Sequence, residues 1–422
     1  MDHFLPREGH LYCEDVALDD IAVAVGTPVY VYSRATLVRH AQVMRAALAG
    51  LGDPLIAFAV KANPNPAVLA TLAQEGLGAD IVSIGEYRRA RRAGVATDRI
   101  LFSGVGKDAA EMAEALAGGL LQFNLESVEE AHMLSSVADA AGHRARVAFR
   151  INPDVDAGTH AKISTGSADN KFGIPAKGVV EAYRAARALP GLDVAGIAVH
   201  IGSQLMRLDP LEIAFGRLGE LIGALREDGF TLDLADLGGG LGVYHGPGQE
   251  TPPSPQNYAA MVGRVTRDWG LRLAFEPGRV IAGNAGVLLS RVIRIKPGER
   301  DPWVIVDAAM NDLMRPALYD AYHQVEAVVP SGARMSANLV GPVCESGDVF
   351  ALGRAMDEVA PDDLIVFRTA GAYGASMSNT YNSRPLTPEV LVNGDQWALI
   401  RRRLDLGELA ALPLPTWLDA AD

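Results

Sequence analysis

The sequence predicts an α/β chain, with a closed (β/α)8 barrel followed by a mostly β domain that also takes in the N-terminal lead-in. Three observations carry this. Apolar runs of strand length alternate eight times with Ala/Leu/Arg/Glu-rich helical patterns, which implies a parallel sheet covered by helices. The eight units fill about 250 residues, the size of a closed barrel. After about residue 285 the texture changes to short strands split by Pro-Gly and Asp-rich turns, the pattern of a β domain. The boundaries expected are 26–285 for the barrel, and 1–25 with 286–422 for the β domain.

Taken in order, residues 1–25 are a short lead-in, and Gly26-Thr27-Pro28 punctuates before a strand candidate, Val29-Tyr30-Val31-Tyr32. Ser33 reads as the N-cap of a helix running to about Leu51. The eight barrel strands then end within 56–61, 79–83, 100–103, 121–124, 147–152, 197–200, 234–238 and 273–276. An open doubly wound sheet is the alternative, but its dinucleotide fingerprint is missing. Gly238-Gly239-Gly240-Leu241-Gly242 offers two frames for it, and they fail at Val243 and His245. Beyond the barrel, 287–289, 292–295, 303–306 and 364–367 read as short strands, and a loose tail begins at Leu412.

Composition narrows the function classes. Hydrophobic content is 49% and charged content 21%, as in an ordinary globular enzyme. A net charge of −13 argues against nucleic acid or an anionic membrane as partner. No apolar run reaches spanning length, and the acids and proline of the first eight residues do not suit a signal peptide. Two cysteines, Cys13 and Cys344, are too few for a disulfide framework and point to a reducing cytoplasm. No spaced set of metal ligands is present, so no metal is expected.

In a (β/α)8 barrel chemistry gathers where the strands end. The unusual residues fall there: Lys61, Asp80, Ser83, Arg150, Asn152, His200, Ser203, Gly238 to Gly240, and Glu276 through Arg279. Lys61 closes the apolar run Leu55-Ile56-Ala57-Phe58-Ala59-Val60, and Asn63-Pro64-Asn65-Pro66 forbids further strand. Such a lysine either snorkels to solvent or, with its pKa lowered by desolvation and a nearby cation, forms a Schiff base. Glycines 238–240 are either a tight turn or a phosphate cradle of bare backbone N–H groups. Glu276-Pro277-Gly278-Arg279 is either a surface turn or a carboxylate for a protonated ring nitrogen beside a guanidinium for an anion. His200 is either a satisfied polar group or a flat ring facing a flat cofactor. In the β region, Cys344 beside Glu345 in a Gly-Pro/Ser-Gly loop is unusual for a free thiol. Gly371-Ala372-Tyr373-Gly374 presents one aromatic hydroxyl.

Together these segments resemble the diaminopimelate decarboxylase family, pyridoxal-phosphate enzymes of the alanine-racemase-like barrel class. The resemblance rests on Phe58–Asn63, the stretch from Asn152 to Gly166, Asn170-Lys171-Phe172-Gly173, His200–Gln204, Gly238–Gly242, Glu276–Arg279, Arg315–Tyr319, Cys344–Asp348 and Gly371–Gly374. It runs in order from about residue 10 to residue 400. Glu-Pro-Gly-Arg is shared with ornithine and arginine decarboxylases; Asn-Lys-Phe-Gly and Cys-Glu-Ser-Gly-Asp are more specific. The ornithine enzymes carry Asp where Glu345 stands.

The resemblance implies roles. Lys61 carries pyridoxal 5′-phosphate as a Schiff base, and Glu276 pairs with the pyridine nitrogen, keeping the ring an electron sink. His200 stacks on the ring. Asp80 and Arg150 belong to the same cofactor site. Ser203, Gly239, Gly240, Gly278, Arg279 and Tyr373 surround the phosphate. Arg279, Arg315 and Tyr319 hold the carboxylate that does not react, with Tyr373 also at the substrate. Glu345 takes the distal ammonium, and Cys344 is the proton donor. The loop with Cys344 and Glu345 comes from a second subunit, so the active unit is a homodimer. The implied reaction is meso-2,6-diaminopimelate to L-lysine and carbon dioxide, the last step of lysine synthesis, in the cytoplasm. A decarboxylase of ornithine or arginine type is the runner-up, and a non-catalytic cofactor-binding relative is a third reading.

Overall fold

The computed structural model describes residues 2–156, 158, 165, 170–415 and 417–418. Of the motif from Asn152 to Gly166, residues 157, 159–164 and 166 lie outside the described residues. The chain divides into two compact units, Thr36–Asn284 and Met1–Ala35 with Ala285–Asp422.

The first unit is a closed barrel. Its parallel strands are β1 (Leu55–Ala59), β2 (Gly78–Ile81), β3 (Ile100–Phe102), β4 (Gln122–Leu125), β5 (Ala145–Asn152), β6 (Leu192–Val199), β7 (Leu234–Asp236) and β8 (Arg272–Phe275). Neighbours pair in sequence order, and β8 returns to β1 through Ala274↔Leu55 and Phe275↔Ile56. The strands are mostly apolar because they are covered on both faces, by the barrel interior and by the outer helices. The helices start where a side chain accepts a free N–H of the first turn. Asn65 does so for Ala67, Ser83 for Glu86, Asp108 for Glu111, and Ser127 for Glu130.

The barrel interior is graded. Leu55, Ala57, Leu101, Leu234 and Ala274 pack as an apolar floor, each leucine stabilising the fold by about 1.5–3 kcal/mol. Side chains on a strand alternate in facing, so the residue two places on points the same way. Two places beyond Leu101, Leu234 and Ala274 stand Ser103, Asp236 and Glu276. The floor thus gives way to a polar layer at the strands' C-terminal ends.

The second unit is built on the eleven-residue strand Gly286–Lys296. Sequence reading gives two short strands here. The structure keeps one because Ser290, which interrupts the apolar pattern, is buried and donates its hydroxyl to Asp307 at 2.7 Å. The first half of the strand pairs antiparallel with Val29–Ser33 and Leu364–Phe367, the second half with Trp303–Val306. Val29–Ser33 also lies parallel to Glu389–Asn393. It therefore belongs to this sheet, although the expected boundary at residue 26 places it with the barrel. All five of its residues are buried, so its apolar run carries no mark that distinguishes it from a barrel strand. The lead-in strands Phe4–Arg7, His10–Cys13 and Val16–Ala17 contribute Phe4, Leu11, Cys13 and Val16 to a core shared with Val29, Val287, Val366 and Val390.

Candidate active site

Where the barrel strands end, a cavity of about 360 Å³ opens among Lys61, Ser103, Asn124, Arg150, His200, Asp236 and Glu276. Strand β1 stops at Ala59, and Lys61 lies in the single 3-10 turn Val60–Ala62 that follows. Its amine is 3.0 Å from the Asp80 carboxylate on β2. Its near neighbour is thus an anion, where the lowered-pKa reading invokes a cation. Asp80 is fully buried, and its Oδ1 accepts no hydrogen bond from the described residues.

Glu276 follows β8 and is buried. Ser103 donates to its Oε1 at 3.3 Å. Asp236, at the end of β7, shares a hydrogen bond with Glu276. Asp236 also accepts from Asn124 Nδ2 at 2.8 Å and from the Gly238 N–H at 3.0 Å. Burial first, then the neighbouring Asp236 and Asp80, push the Glu276 carboxyl well above the usual carboxylate range. Burial likewise raises Asp236. Nearby, Glu86 is pushed up to about 7, chiefly by burial, although its carboxylate accepts the Val82 N–H at 2.8 Å.

His200 ends β6. Its Nδ1 accepts the Gly239 N–H at 3.1 Å, so the proton of the neutral ring sits on Nε2. Desolvation, then Arg150 and Lys61, hold this imidazole well below its ordinary pKa. Arg150 donates to the His200 carbonyl and to Glu126, each at 3.2 Å, and its guanidinium lies 4.7 Å from the Phe172 ring centre. Gly238 and Gly240 have φ of 66° and 111°, conformations that favour glycine. A Cβ at Gly239 would lie 2.1 Å from the Glu276 carbonyl oxygen, and one at Gly240 2.5 Å from that of Gly202. Only bare backbone fits there. Arg279, buried beside Gly278, donates to Ser203 Oγ at 3.1 Å.

The barrel rim thus brings together Lys61, Asp80, Arg150, His200, Ser203, Gly239, Gly240, Glu276, Gly278 and Arg279. Two other rim residues have local duties: Ser83 caps a helix, and Asn152 accepts the Asp154 N–H at 3.0 Å. Sequence reading missed Ser103, Asn124 and Asp236. The signal available for Asp236 was the one that flags Glu276, a polar residue two places beyond an inward apolar one.

The remaining candidates lie in the β unit. Arg315 and Tyr319 begin and end the short helix Arg315–Tyr319, with Arg315 buried and Tyr319 half-buried. Cys344 and Glu345 are exposed in one turn. Asn382 Oδ1 accepts the Cys344 N–H at 2.9 Å, and the Tyr381 hydroxyl donates to Glu345 at 3.2 Å. Asp348 braces this turn from below, accepting the N–H groups of Met310 at 2.6 Å and Val343 at 2.8 Å. Tyr373 sits at φ 56°, a strained conformation for a bulky side chain and one that concentrates at functional sites.

The family model for the pyridoxal binding domain of pyridoxal-dependent decarboxylases matches residues 34–283. The chain is 54% identical to the diaminopimelate decarboxylase of Zymomonas mobilis, over 96% of this chain and 97% of that one. It belongs to the diaminopimelate decarboxylase family. Among solved structures, the family member from Helicobacter pylori, complexed with L-lysine, is 38% identical with a TM-score of 0.89, covering 93% of this chain and 98% of that one. The one from M. jannaschii, also with L-lysine, is 32% identical with a TM-score of 0.94, covering 99% and 100%. The family's cofactor fits the cavity. Asp80, Asp236 and Glu276 set buried carboxyls around one lysine, a surplus of acid that a cationic ring nitrogen would offset. The glycine backbone leaves room for a phosphate. Among the described residues no cluster of His, Cys, Asp or Glu is suited to a metal ion, and no helix is long and apolar enough to cross a membrane.

Proposed function

We propose that this chain removes one carboxyl group of meso-2,6-diaminopimelate, releasing carbon dioxide and leaving L-lysine. The observation that carries the reading is the constellation of Lys61, Glu276, His200 and the glycine cradle on one barrel rim, in a chain of this family. Pyridoxal 5′-phosphate, when bound, takes up the electron pair left as carbon dioxide departs. The residues that would hold it are Lys61 through its amine, Glu276 at the ring nitrogen and His200 on the ring face. Ser203, Tyr373 and the backbone of Gly239, Gly240, Gly278 and Arg279 would hold its phosphate. Asp80 keeps the Lys61 amine in place. Arg150 fixes the carbonyl of His200, and so the height of its ring.

The chain's own residues then supply orientation and a proton. His200 stays neutral, so its face does not repel a cationic ring. Arg279 and Arg315 offer planar, permanently charged forks for the carboxylate that is not lost, with Tyr319 and Tyr373 beside it. Glu345 takes the distal ammonium. The Cys344 thiol delivers the proton that replaces the carboxyl group, so that one C–C bond breaks and one C–H bond forms. Lysine, ornithine and arginine carry no second carboxylate and would forgo the charge pairing with these guanidinium groups, which costs roughly 2–5 kcal/mol. That is the argument against the runner-up decarboxylases.

The same reading makes the enzyme a homodimer whose Cys344–Glu345 turn serves the partner's barrel. The exposure of that turn supports this. It also places the enzyme in the cytoplasm, which suits the free thiols Cys13 and Cys344. One experiment tests the assignment. Lys61→Ala and Glu345→Ala should each be inactive in lysine formation from meso-diaminopimelate, and mixing them under conditions of subunit exchange should restore activity. Borohydride reduction should fix the cofactor on the Lys61 peptide. A label on another lysine overturns the Lys61 assignment, and exchange without recovery overturns the shared site.

A further inference from the structure

We propose that His323 is the residue that positions Arg315 for its carboxylate. The inference rests on the reading of Arg315 given above. Arg315 and His323 are both buried. The His323 Nδ1 lies 2.8 Å from the carbonyl oxygen of Arg368. A carbonyl only accepts, so Nδ1 carries the proton. The other nitrogen, Nε2, lies 2.9 Å from Arg315 Nη1. A guanidinium only donates, so Nε2 is bare. The two neighbours together select one tautomer of a neutral imidazole, whose remaining lone pair points at Arg315.

The ring has little freedom to do otherwise. Arg354 donates to the His323 carbonyl at 2.9 Å, and the Arg368 N–H donates to the Gln324 carbonyl at 2.8 Å. The Arg354 guanidinium also covers the adjacent Tyr322 ring, 4.1 Å from its centre. His323 is therefore fixed on both sides of its backbone and at Nδ1 before it meets Arg315.

The choice of acceptor matters. A carboxylate at this place would cancel the charge of Arg315 and compete with an incoming carboxylate. A neutral nitrogen directs one N–H and adds no negative charge of its own beside Arg315. It also holds a long, rotamer-rich side chain that would otherwise lose freedom on binding. His323 thus acts on affinity for a substrate bearing a second carboxylate, and touches neither the substrate nor the reacting carbon.

The test is steady-state kinetics of the cofactor-loaded dimer with meso-diaminopimelate. His323→Asn keeps an amide donor for the Arg368 carbonyl but loses the acceptor for Arg315. It should raise KM about tenfold, the worth of one hydrogen bond to a charged group, with kcat within about twofold of wild type. His323→Gln, whose amide oxygen reaches the Nε2 position, should recover most of the loss. Adding His323→Asn to Arg315→Ala should raise KM no further, since both act through one contact. Equal behaviour of the Asn and Gln variants, a fall in kcat alone, or multiplied effects in the double variant overturns the inference. If His323→Asn does not fold, a folded His323→Gln with a tenfold higher KM overturns it equally. The Arg315→Ala variant separates the two claims. An unchanged KM there sinks the carboxylate clamp itself, whereas a raised KM there with an unchanged one in His323→Asn sinks only the role of His323.

Discussion

Replacing Glu276 by Gln should change how the stability of the cofactor-free protein depends on pH. Glu276 is buried beside Asp236 and near Asp80, and its carboxyl is held well above the usual range by burial and then by those two acids, with Lys61 acting in the opposite direction. In the unfolded chain the same carboxyl ionises at about 4.3. Between the two values the folded chain holds a proton that the unfolded chain releases. Stability contributed by Glu276 is thus fully present below about pH 4.3 and is lost as pH rises, by about 1.4 kcal/mol for each unit of that window. Glutamine keeps the shape and does not ionise. Denaturant unfolding of the cofactor-free wild type and Glu276→Gln, followed from pH 5 upward, should give curves that diverge. The variant should gain on the wild type by roughly 1.4 kcal/mol per unit while Glu276 stays protonated in the fold. Parallel curves would show that Glu276 is already ionised there, and the account of a strained acid pair fails.

Two further outcomes follow from named contacts. The ring carbons of His200, observed in protein with labelled histidine, should not shift between pH 6 and 8, where an unperturbed histidine titrates at about 6.5; a midpoint in that range refutes the neutral ring. Asp348→Ala should leave the buried N–H of Val343 and the half-buried N–H of Met310 without their acceptor and lower stability by about 1–3 kcal/mol, mostly through Val343. Amide exchange at Val343 and Cys344 should quicken, and unchanged exchange would show that the turn is held by other means.

Much of the barrel is legible in the sequence because its strands are bounded twice, by length and by a polar or glycine residue where each emerges. The residues that emerge are the site, so Lys61, His200 and Glu276 announce themselves. Asp236 carries the same signal, but it sits directly before Leu237 and three glycines, and the glycines' backbone freedom is the stronger local pattern. Ser83 and Asn152 show the opposite error. They emerge from strands as the site residues do, yet their side chains go to nearby backbone N–H groups, because short polar side chains compete for such partners at any chain turn. His323 had no local signal. Its tautomer is set by the carbonyl of Arg368, 45 residues away in sequence, and only the sheet that joins the two segments makes the pair.

Three carboxyls in one buried cavity are hard to explain by stability. Asp80 and Asp236 each raise the pKa of Glu276, and Asp236 is itself raised by its burial. An apolar or amide side chain at Asp236 would remove that repulsion and still leave Ser103 and Asn124 to bond one another at 3.1 Å. Local choices that oppose the fold mark functional sites. The opposition here has a definite sign, since acids that repel one another are relieved either by keeping a proton or by gaining a cation. Lys61 supplies one such charge, to Asp80. The acid pair at Asp236 and Glu276 calls for a second, and a protonated ring nitrogen is a cation of the right size that arrives only with the cofactor. The stability the cofactor-free barrel lacks at neutral pH is therefore stability that cofactor binding restores.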